Sequence, residues 1–350
     1  MYPQAASLIA LAPRPGVVTR TALMGSASLL DTFFLVPGFL AQQDAAKVNN
    51  GEYPATAAMT TGYVFRVENR ATAAFLQRVG VTGHLAPFHS HSPNAFLPKT
   101  RRDLRVLRAQ RAQIYLSTSR EPHRAGALPR AGLRQDPVAS LCYLAGVAST
   151  VAVVLVLIRI HDVPALLFLG TLMLSRLLHV AVLKRRATKG WKGAAEPGVH
   201  GDLLVLVSQD RWIRMRGLVD DLKAVTAGHW LRELEPAESA LATAATFLAY
   251  GALAFAGNAS ALGSVFTAGL FVLSAALLGV CNATTSKLWM FGCVVSVVGD
   301  TPYVRRKDMA DDLLKETSEV LHYPDNSWAV KLGIVAELPK TSSRVETTIL

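Results

Sequence analysis

Residues 239–286 read SALATAATFLAYGALAFAGNASALGSVFTAGLFVLSAALLGVCNATTS, 48 positions without one Asp, Glu, Lys or Arg. A helix needs about 20 predominantly apolar residues to cross the hydrocarbon core of a bilayer. The run is too long for one crossing and fits two joined by a tight turn. Gly257-Asn258-Ala259-Ser260 is the turn signal inside it, so helices are expected over about 239–257 and 261–281. Residues 138–158 form a second charge-free window, followed by Arg159-Ile160-His161-Asp162 and another apolar stretch over 163–183. Pro164 suits the first turn of a helix, where its missing N–H costs nothing. The alternative is a pair of buried helical hairpins in a large soluble core. Four windows of spanning length, in two closely joined pairs, argue for lipid.

Composition agrees. The chain has 350 residues, 36 Lys+Arg against 25 Asp+Glu, a net charge of +11 and a mean hydropathy of +0.30. Only 17% of residues are charged and 51% are hydrophobic, where a soluble domain carries about 25% charge. These values exclude a disordered chain and an ordinary soluble enzyme, and fit a membrane protein with basic soluble parts. Cys142, Cys281 and Cys293 all lie in apolar stretches, odd in number and without a CxxC pair. A disulfide framework is excluded, and buried thiols are the simple reading.

Residues 21–41 are a fifth candidate span, weakened by Asp31 at its centre and Pro37 near its end. Residues 288–299 are apolar but too short to cross, which predicts an interfacial or re-entrant segment. Orientation follows from basic flanks. Arg124, Arg130, Arg134, Lys184, Arg185, Arg186, Lys189 and Lys192 bracket the first hairpin, against Arg159 at its tip. The tips are therefore expected outside, with 184–238 and the C-terminus inside. The sequons at Asn258 and Asn282 fall against the outer membrane face and inside, so neither is expected to carry a glycan.

The expected organisation is an N-terminal segment (1–20), a candidate first span (21–41) and a basic inside loop region (42–137). A transmembrane hairpin (138–183), an inside element (184–238), a second hairpin (239–281) and an inside C-terminal region (282–350) follow. In the loop, Arg101, Arg102, Arg105, Arg108 and Arg111 belong to a run in which Asp103 is the single acid. As a basic amphipathic helix beside the membrane it would contact anionic lipid, at roughly 1 kcal/mol per basic residue. A solvated charged helix is the alternative. Nucleic acid is not expected, since only Tyr115 stands nearby for stacking. His84, His89 and His91 give an H-x4-H-x-H spacing that could bind a transition metal, but a polar, proline-limited loop explains it more simply. No cofactor is expected.

Within 184–238, the run 203–207, a turn at 208–211 and alternation over 212–216 predict a β-hairpin with Ile213 and Met215 opposite Arg214 and Arg216. Val219, Leu222 and Val225 then recur at helical spacing. In the C-terminal region, Met309, Leu313, Leu314, Val320 and Leu321 are expected on the buried side of an acidic amphipathic helix. Beyond Pro324 a loosely ordered tail is expected. Its last residues, Thr348-Ile349-Leu350, match a strand-addition ligand, a pattern that occurs often by chance.

Three ionisable residues fall in apolar windows: Asp31, Arg176 and His179. Arg176 and His179 share a helix face. An Asp31–Arg176 pair would let both stay buried, either as an ion pair registering two helices or as part of a proton-coupled polar pathway. Ala245-xxx-Ala249, Ala252-xxx-Ala256 and Ala275-xxx-Gly279 permit close helix packing, within one chain or in a homo-oligomer. No nucleotide-binding, nucleophile-elbow or HExxH motif is present.

The stretch Gly190-Trp-Lys-Gly-Ala-Ala-Glu-Pro-Gly-Val-His-Gly-Asp202, with Ser208-Gln-Asp-Arg-Trp-Ile-Arg-Met-Arg-Gly-Leu-Val-Asp-Asp-Leu-Lys223, resembles a family of uncharacterised multi-pass membrane proteins of filamentous fungi. The resemblance extends over most of the chain, implies an integral membrane location and a fungal source, and lends no site residues. The expected fold is an all-α transmembrane bundle of about five spans with two tight hairpins and a small α/β element on the inside face. The expected function is a non-catalytic membrane scaffold that binds lipid or partner proteins, and the alternative is a small-solute or proton-coupled transporter. Arg14 and Arg20 before the first acid, Asp31, hint at a mitochondrial transit segment. Surface, secretory and vacuolar membranes stay open.

Overall fold

The computed structural model describes residues 15–91, 137–299 and 301–336. Four of its helices are long and apolar enough to cross a membrane: α3 (Pro137–Arg159), α4 (Val163–Arg186), α6 (Pro236–Ala256) and α7 (Ala261–Thr284). They form the two expected hairpins. The hairpins pack chiefly as α4 on α6 and α3 on α7. Ala245, Ala249, Ala252 and Ala256 are buried along α6, so two of the three small-residue pairs are consumed inside the chain. The Ser175 hydroxyl donates to the Ala245 carbonyl at 2.6 Å. Large apolar side chains point outward on the other faces, Leu141 and Phe247 each 70% exposed and Val272 58%.

The hairpin tips meet at one end of the bundle. Asp162 caps α4 by accepting from the Ala165 N–H at 3.1 Å. Its other oxygen accepts from the Ser260 N–H at 3.0 Å and hydroxyl at 2.5 Å. Ser260 in turn caps α7 through the Gly263 N–H at 3.0 Å. A Cβ at Gly263 would stand 2.0 Å from the Asp162 carboxylate, so this clamp requires glycine.

All strands lie at the opposite end and join one sheet. In chain order they are β1 (Ala55–Ala58), β2 (Val64–Arg66), β3 (His84–His91), β4 (His200–Val207), β5 (Arg211–Leu218), β6 (Lys287–Met290), β7 (Cys293–Val297) and β8 (Thr301–Pro302). The spatial order is β2-β1-β4-β5-β3-β7-β6, with β8 beside β3. Among the described residues only β3 and β5 pair in parallel. Each hairpin leaves the sheet after one strand set and returns to start the next.

The sheet is covered on both faces, as the strand period of two dictates. Val205, Ile213, Met215 and Val295 pack with α1 (Gly16–Met24), α2 (Arg70–Val79) and α5 (Val219–Thr226). Leu204 and Trp212 face Met309, Leu313 and Leu314 of α8 (Arg306–Lys315), and Trp328 of α9 (Trp328–Lys331).

Several expectations are corrected. Residues 21–41 do not form a continuous helix of spanning length: α1 ends at Gly25 in a left-handed conformation, and two short 3-10 segments follow, Leu29–Phe33 and Phe39–Lys47. Among the described residues the helices long and apolar enough to span number four, against the expected five or so. Residues 288–299, expected as an interfacial or re-entrant segment, form most of the β6–β7 hairpin, turned at Phe291-Gly292 with φ 51° and 82°. The α/β element is not small: β4–β5 and α5 form as expected, but they are the middle of an eight-stranded sheet to which 42–137 and 282–350 also contribute. The histidine-bearing loop is strand β3. Val320 is 69% exposed rather than buried, and Trp328, beyond Pro324, is fully buried.

Candidate functional site

The backbone of 25–40 enters the bundle beside α3 and α4, turns at the Leu29–Phe33 segment, and leaves toward the end it came from. At one root the Trp230 indole N–H donates to the Gly25 carbonyl at 2.8 Å. At the other, Gln77 of α2 donates to the Asn49 carbonyl at 3.1 Å. Between them Phe34, Leu35, Val36 and Phe39 are buried among Tyr143, Leu169, Leu172 and Leu278. The Phe34 ring lies so close to α3 that a Cβ at Gly146 would stand 2.2 Å from it. Non-helical backbone within an apolar bundle is tolerated where protein covers it.

Asp31 stands at the turn. Ser28 and Asp31 form a capping box: the Ser28 N–H donates to Asp31 Oδ2 at 2.8 Å, and the Leu30 N–H donates to Ser28 Oγ at 3.3 Å. Asp31 Oδ1 accepts from the Tyr143 hydroxyl at 2.6 Å. The Tyr143 ring is edge-on to Phe34 and covered by the Arg20 guanidinium, 5.3 Å from its centroid.

Arg176 is fixed from the other side. It lies ten residues before the end of α4, about 15 Å at 1.5 Å per residue. Its Nε donates to the Asp31 backbone carbonyl at 3.2 Å, its Nη1 donates to Gln42 Oε1 at 2.9 Å, and its guanidinium lies 5.6 Å from the Phe39 ring centroid. Gln42 donates to Thr21 Oγ1 at 3.1 Å. The structure thus brings Asp31 and Arg176 together, but with a different contact from the expected pair. The guanidinium takes the main chain, and the carboxylate takes Tyr143 and its own capping box.

His179 lies one helical turn further along α4. Gln43 Nε2 is 3.4 Å from its Nδ1 and donates to its backbone carbonyl at 3.0 Å. Its ring is edge-on to Phe39, and its Nε2 is buried without a partner. Arg186 ends the chain of contacts, donating to Gln43 Oε1 at 3.0 Å, the Gln43 carbonyl at 3.3 Å and the Arg232 carbonyl at 3.0 Å. The sequence analysis missed Tyr143, Gln42, Gln43, Arg20 and Arg186. Only Tyr143, a hydroxyl in an apolar window, carried a signal.

Beyond Arg186 a cavity of about 400 Å³ opens at the roots of α4 and α6, lined by Glu68, Arg70, Arg186, His229, Arg232 and Glu233 among others. Nearby, Arg78 ties the sheet to the bundle. Its Nη2 donates to the carbonyls of Asn282 (2.5 Å), Ala283 (3.3 Å) and Thr285 (3.2 Å), where the end of α7 favours a cation. Replacing Arg78 by Met keeps the apolar stem and removes all three hydrogen bonds. A loss of about 1–3 kcal/mol is expected, read as an earlier thermal transition of the detergent-solubilised chain.

Of the other sequence candidates, the three histidines lie along β3. The register sets His84 opposite Pro302, His89 between Arg216 and Ser296, and His91 opposite Val294. Among the described residues no group of three or more His, Cys, Asp or Glu side chains could hold a metal. Arg101, Arg102, Arg105, Arg108 and Arg111 lie outside the described residues, as do the segment before residue 15 and the C-terminal three residues.

Comparison with protein-family models, with curated proteins and with solved structures finds no match for this chain.

Proposed function

We propose that the protein is a non-catalytic, multi-pass membrane scaffold. In this reading two helical hairpins cross the bilayer with their clamped tips outside, and the sheet forms a platform on the inner, basic side. Anionic lipid or a partner protein then meets the loop that carries Arg101, Arg102, Arg105, Arg108 and Arg111. The observation that carries the reading is the use made of the intramembrane polar groups. Asp31 and Arg176 are spent holding the re-entrant segment through Tyr143, Gln42 and main-chain carbonyls. His179 holds Gln43 through its carbonyl.

The test is co-purification of anionic lipid. The wild-type chain is expected to retain it in a salt-sensitive manner, and a variant with the five arginines changed to Gln is expected to lose it while staying in the membrane. Equal retention by both contradicts lipid contact at this loop. The second reading, a proton-coupled transporter, draws on His179 Nε2, buried and unpartnered. A proton flux in sealed proteoliposomes that Asp31→Asn abolishes would establish it in place of the scaffold.

A further inference from the structure

The cavity at the roots of α4 and α6 carries a charge pattern of its own. Its walls come from residues 186–190, which leave α4, residues 229–233, which lead into α6, and the Glu68 and Arg70 positions at the start of α2. If the four helices span, this cavity sits at the level of lipid headgroups on the sheet side of the bilayer. That placement rests on the membrane reading above.

At its inner wall Arg186, only 4% exposed, donates from Nε and Nη1 to the protein. Its Nη2 has no hydrogen-bond partner among the described residues. Arg70 holds Tyr53 through Nε at 2.9 Å and lines the same space. Arg232 is neutralised by Glu235 (2.9 Å) and Glu238 (2.6 Å). At the mouth the Glu68 and Glu233 carboxylates are exposed and have no ion pair among the described residues. Leu231, half-buried between two apolar clusters, adds an apolar wall. A purely anionic ligand would meet two acids here, and a purely cationic one would meet the buried Arg186 guanidinium. A ligand that carries a phosphate and, a few ångströms away, an ammonium satisfies both.

We propose that this cavity binds the headgroup of a phosphoethanolamine lipid, with its phosphate toward Arg186 Nη2 and its primary ammonium donating to Glu68 and Glu233. The volume, about 400 Å³, is in the range of small-molecule sites. A quaternary ammonium has no N–H to donate to those carboxylates, and a glycerol headgroup has no charge for them.

The test uses the full chain, purified in detergent, stripped of lipid and offered dioleoyl phosphatidylethanolamine, phosphatidylcholine or phosphatidylglycerol, with bound lipid counted by native mass spectrometry. One phosphatidylethanolamine per chain is expected, held about tenfold more tightly than the other two, the scale of one charge-assisted contact. Glu68→Gln with Glu233→Gln, both exposed and away from the core, is expected to remove that preference and leave the thermal transition unchanged. Equal retention of the three lipids by the wild type, or an unchanged preference in the double variant, would overturn the assignment. Soluble O-phosphoethanolamine competing as well as the lipid at equal concentration would place the ligand in the aqueous pool and overturn the lipid source. Because binding is measured in detergent, its failure leaves the spanning reading intact, and carbonate extraction of native membranes tests that reading separately.

Discussion

Changing Asp202 to Ala is expected to cost about 3–5 kcal/mol, because it leaves two arginines, one of them buried, with a single carboxylate between them. Asp202 is 1% exposed and sits on the sheet face covered by α8. It accepts from Arg214 Nη2 at 2.7 Å and from Arg216 Nε at 3.1 Å. Both arginines also reach Glu316, each at 2.5 Å, just past the end of α8. The cluster therefore fastens the C-terminal helix to β4 and β5. Burial works against the charged Arg214 guanidinium, but Asp202 and Glu316 outweigh it and raise its pKa above the ordinary value. Burial likewise pushes the Glu316 carboxyl up, but Arg214 and Arg216 overcome it and hold the pKa below the usual 4.5. A depressed carboxyl pKa contributes stability that is fully present above the unfolded value and is lost as pH falls through the folded one. The docking of α8 should therefore weaken below about pH 4.5, and this acid step should be smaller in Glu316→Gln. Hydrogen exchange of α8 amides against pH reads both. Unchanged protection in Asp202→Ala would contradict the fastening role.

The second large effect is at the turn of the re-entrant segment. Asp31→Ala removes the capping box, the acceptor for Tyr143 and the negative charge nearest Arg176. A loss of about 3–5 kcal/mol is expected for leaving a buried cation uncompensated. Arg176→Leu alone strands the Asp31 carbonyl and Gln42. The Asp31→Ala, Arg176→Leu double variant removes both charges together. Its loss should fall short of the sum of the single losses by about 1–3 kcal/mol, the range of coupling between residues in one network. Thermal unfolding of the four proteins in one detergent gives the cycle. Strict additivity would mean that the two residues do not hold the segment jointly.

The hairpins were legible because a charge-free run of spanning length has few other fates, and Gly257-Asn258 marks where one of them turns. The β4–β5 hairpin and α5 were legible from local period alone. What the chain hides is pairing at a distance. β1 is Ala55-Thr-Ala-Ala58, without strand character, and it forms because Leu203–Leu206 of β4 present an edge to it. β3 contains Pro87, which argues against a strand. It pairs in parallel with β5 after a whole helical hairpin has intervened, a contact no local pattern encodes. In β6–β7 the cue was present: Phe291-Gly292 between two apolar runs is a two-residue hairpin signal, obscured by Phe in a left-handed conformation that a bulky residue rarely adopts.

In 21–41 the interruptions were also visible. Asp31, Pro37 and the Ser28-x-x-Asp31 capping box disfavour a continuous helix. The re-entrant path could not be read from them, because it depends on Gly146 admitting Phe34 and on Tyr143 and Arg176 receiving Asp31. Of the polar site, Asp31, Arg176 and His179 were legible, as ionisable residues in apolar windows; Arg20, Arg186 and Tyr143 were not singled out for it. Gln42 and Gln43, uncharged and in an unremarkable stretch, were not.

The central claim is that the tips and the sheet lie on opposite sides of a bilayer, and labelling in sealed vesicles tests it most directly. Asn258→Cys places a thiol at an exposed tip position, and Lys307→Cys places one at an exposed position on α8. A membrane-impermeant maleimide added outside vesicles of one orientation should label one of the two and spare the other until detergent is added. Inverted vesicles should exchange the pattern. Labelling of both from the same side, with the vesicles intact, would contradict the account.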